Sequence, residues 1–150
     1  MIRITTPDVE KLKRIVQETI GGIQTQKRVT VGIHESDSSR DDQGATNAQI
    51  GATHEFGAQN IPARPWLVPG VESGNQEYIE TMRHELSNGA SPESLLPMLG
   101  VLAVSNVQQY MTELRSPPNA QSTIERKKSS NPLIDTGELK SSVTFEVADK

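Results

Sequence analysis

The sequence predicts an α+β fold: a small, mostly antiparallel sheet of about three strands packed against about four helices, with one polar arm. Three observations carry this expectation. Apolar residues recur at helical spacing over several long stretches. Two short segments alternate apolar and polar residues with the period of a strand. Helical and strand-like stretches are interspersed, yet the strands are too few for a doubly wound sheet. The 150 residues suit a single domain, with residues 116–131 as a long loop or flexible arm inside it.

The first predicted helix follows Thr6, a good N-cap, with Pro7 at its first position and Asp8 beside the positive end. Val9, Leu12, Val16, Ile20 and Ile23 then form one apolar stripe. Val29, Val31 and Ile33 alternate with Arg28, Thr30 and Gly32, which predicts a half-buried strand. Residues 34–46 are polar and read as an exposed acidic loop. A short helix is expected over 47–56, terminated by Gly57 in a left-handed conformation. The prolines at 62 and 65 then forbid helix, and Trp66-Leu67-Val68 is expected as a short strand ended by Pro69-Gly70.

A third helix is predicted over about 73–86, carrying Ile79, Met82 and Leu86. Ser91-Pro92-Glu93 opens the longest one, to about residue 114, although Pro97 argues for a later start. Gly100 within it marks a place of close packing. The 116–131 segment, with Pro117-Pro118 and Arg126-Lys127-Lys128, is read as an arm that orders on docking. Asp135 and Glu138 have capping-box spacing, so one helical turn through Leu139 should follow. Val143, Phe145 and Val147 then mark the last strand.

Composition bounds function. Hydrophobic residues make up 33% and aromatics 3%, so the core must be aliphatic and modest. A core of that size suggests stability borrowed from neighbouring subunits. The net charge of −4 does not describe a globally basic nucleic-acid binder. Without cysteine there are no disulfides or thiolate metal sites. The first residues lack the apolar core of a signal peptide, and no apolar run reaches membrane-spanning length, so a soluble protein made in the cytoplasm is expected, with no membrane partner.

Chemical motifs were tested against the spacing their chemistry needs. His54-Glu55 suggests a zinc-protease helix, but position 58 is Ala58 where the second histidine should stand. Counted from Asp37, the calcium-loop pattern needs a glycine at the sixth position and a glutamate at the twelfth, and finds Asp42 and Ala48. Gly21-Gly22 is not followed by a phosphate-binding pattern, and no serine sits in a nucleophile elbow. No cofactor, metal or catalytic residue is therefore expected. Arg126, Lys127 and Lys128 are candidates for a DNA contact through phosphates.

Two segments concentrate stiff prolines, a glycine terminator and large apolar groups. One runs through Glu55, Phe56 and Gly57 to Ile61, Pro62, Ala63, Arg64, Pro65, Trp66 and Leu67. The other holds Pro132, Leu133, Ile134, Asp135, Thr136, Gly137 and Leu139. In this order, and with Val31-Gly32-Ile33 ahead of them, they resemble the neck or tail-completion proteins of long-tailed phages and the related virion-morphogenesis proteins of Mu-like phages. Those read as a glycine-containing strand, then EFG, IPARPF, a helical middle and PLIDTG before a final strand. The likeness covers about residues 29–147, with Trp66 at the position of the commoner phenylalanine.

The resemblance implies a structural virion protein that joins tail to head. It implies a ring of copies, sixfold in related neck components, with adjacent neck, connector or tail proteins as partners and genomic DNA passing through the channel. Closing such a ring needs a heterologous contact between two different patches. Candidate interface residues are Glu55, Phe56, Ile61, Pro62, Arg64, Pro65, Trp66 and Leu67 in one corner, and Leu133, Asp135, Thr136, Gly137 and Leu139 in the other, which either shapes the second patch or braces the sheet beneath it. Arg64 is expected to make a forked bond to a carboxylate, across the interface or within the fold, so that Arg64→Ala would block joining without unfolding the monomer. A tail terminator capping the tube is the alternative in the same setting. A regulatory binding module would need a recognition helix or basic face, and an enzyme would need convergent titratable groups in a pocket. The Asp135-Thr136-Gly137 triplet is not an aspartic-protease site, because that chemistry needs two carboxylates sharing one proton.

Overall fold

The computed structural model describes residues 25–37, 39 and 44–150. The helix expected over 6–23, and much of the acidic loop at 38 and 40–43, lie outside the described residues. The chain runs β1 (Lys27–Gly32), a 3-10 turn (Glu35–Asp37), α1 (Asn47–Phe56), α2 (Leu67–Glu72), α3 (Asn75–Ser87), α4 (Pro92–Glu113), α5 (Gln121–Lys127), α6 (Glu138–Ser141) and β2 (Thr144–Asp149). The class is α+β.

The 22 residues of α4 form the spine. Ser91 caps it by accepting from the Ser94 amide at 3.2 Å, and Pro92 occupies the first turn, where its missing N–H costs nothing. The helix does begin at Pro92, not later. Pro97 forfeits a single backbone bond near the start, which burial of Leu95, Gly100, Ala103, Val107 and Met111 along one face outweighs.

The sheet has two strands, β1 and β2, paired antiparallel. Val29 lies opposite Val147 and Val31 opposite Phe145, so the alternation seen in both strands converges on one half-buried face, which packs on α4. Thr30 and Glu146, also paired, face outward. A two-stranded sheet is marginal alone, so α4 supplies the packing layer that it lacks. Contact is intimate at Gly100: a Cβ there would overlap the ring of Phe145. A second close approach joins α2 to α4, where a Cβ on Gly70 would fall 2.9 Å from the Val107 Cα.

The expected third strand is absent among the described residues. Trp66 instead occupies the N-cap position of α2, and Leu67 and Val68 open that helix. Pro69 sits in its first turn, where proline is tolerated, rather than ending a strand. Six helices are described: α1, α3 and α4 match expected helices, α6 is the helical turn expected through Leu139, and α2 and α5 were not expected because they are shorter than the periodicity of a helix can reveal.

Among the described residues the core is chiefly aliphatic. Trp66, Val107, Met111, Leu133, Leu139 and Val143 form one cluster, with Val31, Ile33, Ile50 and Val104 packed around it. Replacing Gly100 with alanine should lower stability by about 1–3 kcal/mol through overpacking against Phe145. Denaturant unfolding checks this, and Phe145→Leu in the same chain should restore part of the loss.

Candidate functional site

The first proline-rich segment is a rigid corner built on the end of α1. That helix starts with a capping box: the Thr46 hydroxyl accepts from the Gln49 amide at 3.2 Å, and the Gln49 side chain accepts from the Thr46 amide at 2.9 Å. It stops at Gly57, whose φ of +77° favours glycine. The chain reverses through a turn closed by two bonds between Ala58 and Ile61, with Asn60 at φ +66°, a conformation asparagine tolerates. The Arg64 amide then donates to the His54 carbonyl at 2.6 Å, tying the returning strand of chain to α1.

Glu55 completes the corner. Its carboxylate accepts from the amides of Trp66 at 2.7 Å and Leu67 at 2.9 Å, with Val68 at 3.5 Å. These are the donors that a helix start leaves without intrahelical partners, and an anion there is doubly favoured by hydrogen bonding and by the helix dipole. The cap explains why Trp66-Leu67-Val68 enters a helix. It also turns Trp66 inward: the indole is 3% exposed, donates to the Gly51 carbonyl at 2.9 Å, and lies where a Gly51 Cβ would stand 3.0 Å away.

Arg64 is 5% exposed and makes the forked bond that its position predicts, but to carbonyls within the fold. Nε donates to Pro117 at 2.7 Å and Nη2 to Pro118 at 2.9 Å. The corner thus fastens the arm. The arm is not a structureless loop: it contains α5, and its far end is pinned by Asn131. The Asn131 amide donates to the carbonyls of Met111 at 3.2 Å and Thr112 at 2.9 Å, at the end of α4. Its side-chain oxygen accepts from Leu133 at 2.9 Å and Ile134 at 3.0 Å. This pin was not singled out from sequence. The Asn-Pro pair, which favours turn initiation, was its available signal.

The second corner turns mostly inward. Leu133, Leu139 and Val143 are buried and brace the core, whereas Asp135 and Thr136 are exposed and Gly137 is half-buried. The cap of α6 is Gly137 at φ +87°, not Asp135, and the Glu138 amide donates to the Thr136 hydroxyl at 3.4 Å. Asp135 lies two residues ahead of the cap position, so the expected capping box does not form. In the first corner Phe56 is 80% exposed and Ile61, Pro62 and Pro65 are exposed, while Glu55 and Leu67 are half-buried. Of the expected interface residues, then, Glu55, Arg64, Trp66, Leu133 and Leu139 are occupied inside this chain.

A groove of about 240 Å³ lies between α1, α5 and the second corner, lined among others by His54, Arg126, Lys127, Asp135 and Thr136. The Lys127 ammonium reaches the Asn131 carbonyl at 3.4 Å. Burial pulls this ammonium below its usual value, with Asp135 opposing and Arg64 and Arg126 adding to the fall. Arg126 and Lys128 remain exposed, so the basic triplet is split between inside and outside. His54 Nδ1 is buried in the groove wall without a hydrogen-bond partner. Burial, then the charges of Arg64 and Lys127, hold its imidazole below the ordinary histidine range.

The histidines do not converge. His34 shares hydrogen bonds with Thr144 and Thr30 beside the sheet, at 3.0 and 3.2 Å, and His84 lies on α3. Among the described residues no group of three or more acidic or histidine side chains is arranged to hold a metal ion, and no helix is long and apolar enough to cross a membrane. Glu55, the would-be base of a zinc-protease motif, is committed to capping α2.

Two outcomes follow. Arg64→Ala should loosen the arm, costing about 1–3 kcal/mol for the unpaired carbonyls. Trypsin cleavage after Arg126, Lys127 or Lys128 should speed up in that variant. For His54, the folded chain binds the proton less readily than the unfolded one. Its contribution to stability is therefore full above the ordinary histidine range and is lost as pH falls through about 6.5 toward the depressed folded value. Unfolding midpoints measured between about pH 7.5 and about pH 5 should fall more steeply for the native chain than for His54→Gln. Compared with family models, curated proteins and solved structures, the chain matches none.

Proposed function

We propose that this chain is a non-enzymatic structural subunit of a tailed phage, a neck or tail-completion protein that joins tail to head as part of a ring in the virion. One observation carries the reading. The EFG and IPARPW elements form a corner whose backbone is locked by Glu55 and Arg64 while Phe56, Ile61 and Val68 stand outward, at 80%, 40% and 57% exposure. Exposed apolar groups on a rigid support are what a preorganised assembly contact requires, because little ordering entropy remains to be lost on docking.

The order of the resembling segments adds support, since each has a distinct structural task. The first makes the corner, and the second seats Leu133 and Leu139 in the core beneath the sheet and α4. The low apolar share of the sequence, 33%, is compatible with stability gained on assembly. A tail-terminator role would use the same corner, so the two readings differ in position within the particle rather than in chemistry.

Substituting Phe56→Asp should leave the unfolding midpoint within about 0.5 kcal/mol, as expected for a surface change. Particles assembled with that variant should yield tails and filled heads that fail to join. Microscopy of the products decides the matter: normally joined particles would remove the corner from the contact, and absence of the chain from mature particles would end the proposal.

A further inference from the structure

The net charge of −4 conceals a sorted distribution. Residues 72–93 carry five carboxylates, Glu72, Glu77, Glu80, Glu85 and Glu93, against Arg83 alone. Residues 115–128 carry Arg115, Arg126, Lys127 and Lys128 against Glu125. Glu77, Glu80 and Glu85 lie on α3, a helix with no buried residue that pairs with α4 to form a hairpin, and Glu93 lies in the first turn of α4, whereas Glu72 closes α2. Glu77 accepts from the Asn106 side chain at 2.9 Å, so α3 runs back along α4 toward the turn at 88–91. The basic set lies on the arm, which Asn131 pins at the opposite end of α4 and Arg64 ties to the first corner.

The spine is about 33 Å long, from 22 residues at the helical rise; Glu85 and Glu93 lie toward its start, whereas Glu77 lies level with Asn106, nearer the arm's pin at Met111 and Thr112. Among the described residues no ion pair joins the two sets. Both regions also expose apolar side chains. Ile79, Met98 and Val101 stand out from the hairpin, and Phe56, Ile61 and Val68 from the corner that holds the arm.

We infer that these are the two halves of one heterologous contact: the acidic α3–α4 hairpin of one copy docks on the basic arm and apolar corner of the next. The inference rests on the ring reading above and names its second patch. It replaces the 133–143 segment, whose large side chains are spent in the core. The occupant is a second copy because the complementary charge is present in the same chain. A head-to-tail contact joins two unlike patches, and an acidic hairpin against a basic arm is such a pair.

The test uses the full chain, with self-association followed by sedimentation or mass photometry across concentration. The native chain should assemble, and more weakly as salt rises. Glu80→Lys with Glu93→Lys should weaken assembly roughly tenfold, and so should Arg126→Glu with Lys128→Glu. Combining all four changes in one chain should recover most of the loss. Circular dichroism keeps folding separate from assembly, and a single Glu80→Lys change serves if a double variant fails to fold. Unaltered assembly in either double variant, or no recovery on combining them, overturns this contact while leaving the ring reading intact. So does loss of binding to a short DNA duplex in the arm variant with assembly unaltered. A native chain that stays monomeric at every concentration, and also within isolated virions, removes the ring reading itself.

Discussion

The carboxylate of Glu55, seated on the first amides of α2, is the interaction on which the rest of the molecule depends. A helix start exposes donors that need a partner, and here the partner comes from the end of the previous helix, eleven residues earlier. That single group turns the chain at Ile61-Pro62-Ala63-Arg64-Pro65 and delivers Trp66 to the core. It also aligns Arg64 with the carbonyls of the arm. Prolines stiffen the path, but they do not choose its direction. The cap does, because α2 can begin at Leu67 only where its donors are satisfied.

Around that corner the economy of the core becomes intelligible. With one tryptophan and two phenylalanines in the whole chain, bulk cannot come from aromatic side chains. The fold compensates by bringing backbones close together. Gly51 receives Trp66, Gly70 meets Val107, and Gly100 receives Phe145. Each glycine exchanges a side chain for an approach in which more distant atoms gain dispersion contacts. One long helix therefore serves the sheet, α2, α3 and α6 at once. The same economy leaves α3 with no buried residue, and it leaves several large apolar groups at the surface.

Those leftovers give the functional proposal its physical content. A core built to capacity elsewhere would have covered Phe56, Val68 and Val101. Here they stand on elements held by internal hydrogen bonds. Rigid support and exposed apolar contact area suit a protein that fits between others. Three polar groups of these corners have structural tasks: Glu55 caps, Arg64 clamps the arm, and Asn131 pins a turn.

Much of this was legible in the residues alone. Period-two alternation in Val29-Thr30-Val31 and Phe145-Glu146-Val147 is local, because neighbouring side chains on a strand point to opposite faces whatever lies beyond them. The bounds of α1 and the start of α4 were equally local, since Gly57 and the Ser91-Pro92 pair act on their own turns. The α+β class followed from these elements. The fate of Trp66-Leu67-Val68, the helix inside the arm, the partners of Arg64 and the true cap of α6 were decided only by tertiary structure. In each case the deciding group comes from a distant turn or from the packed core: a carboxylate eleven residues away, carbonyls more than fifty residues away, and Leu139 drawn under the core so that Gly137 makes the bend. A short segment's own preferences amount to tenths of a kcal/mol per residue, whereas one satisfied helix start or buried side chain is worth about 1–3 kcal/mol. The sequence by itself therefore determined which stretches become helix or strand where they are long and periodic. Where they are short, the nearest unsatisfied donor, acceptor or apolar gap in the folded molecule made the choice.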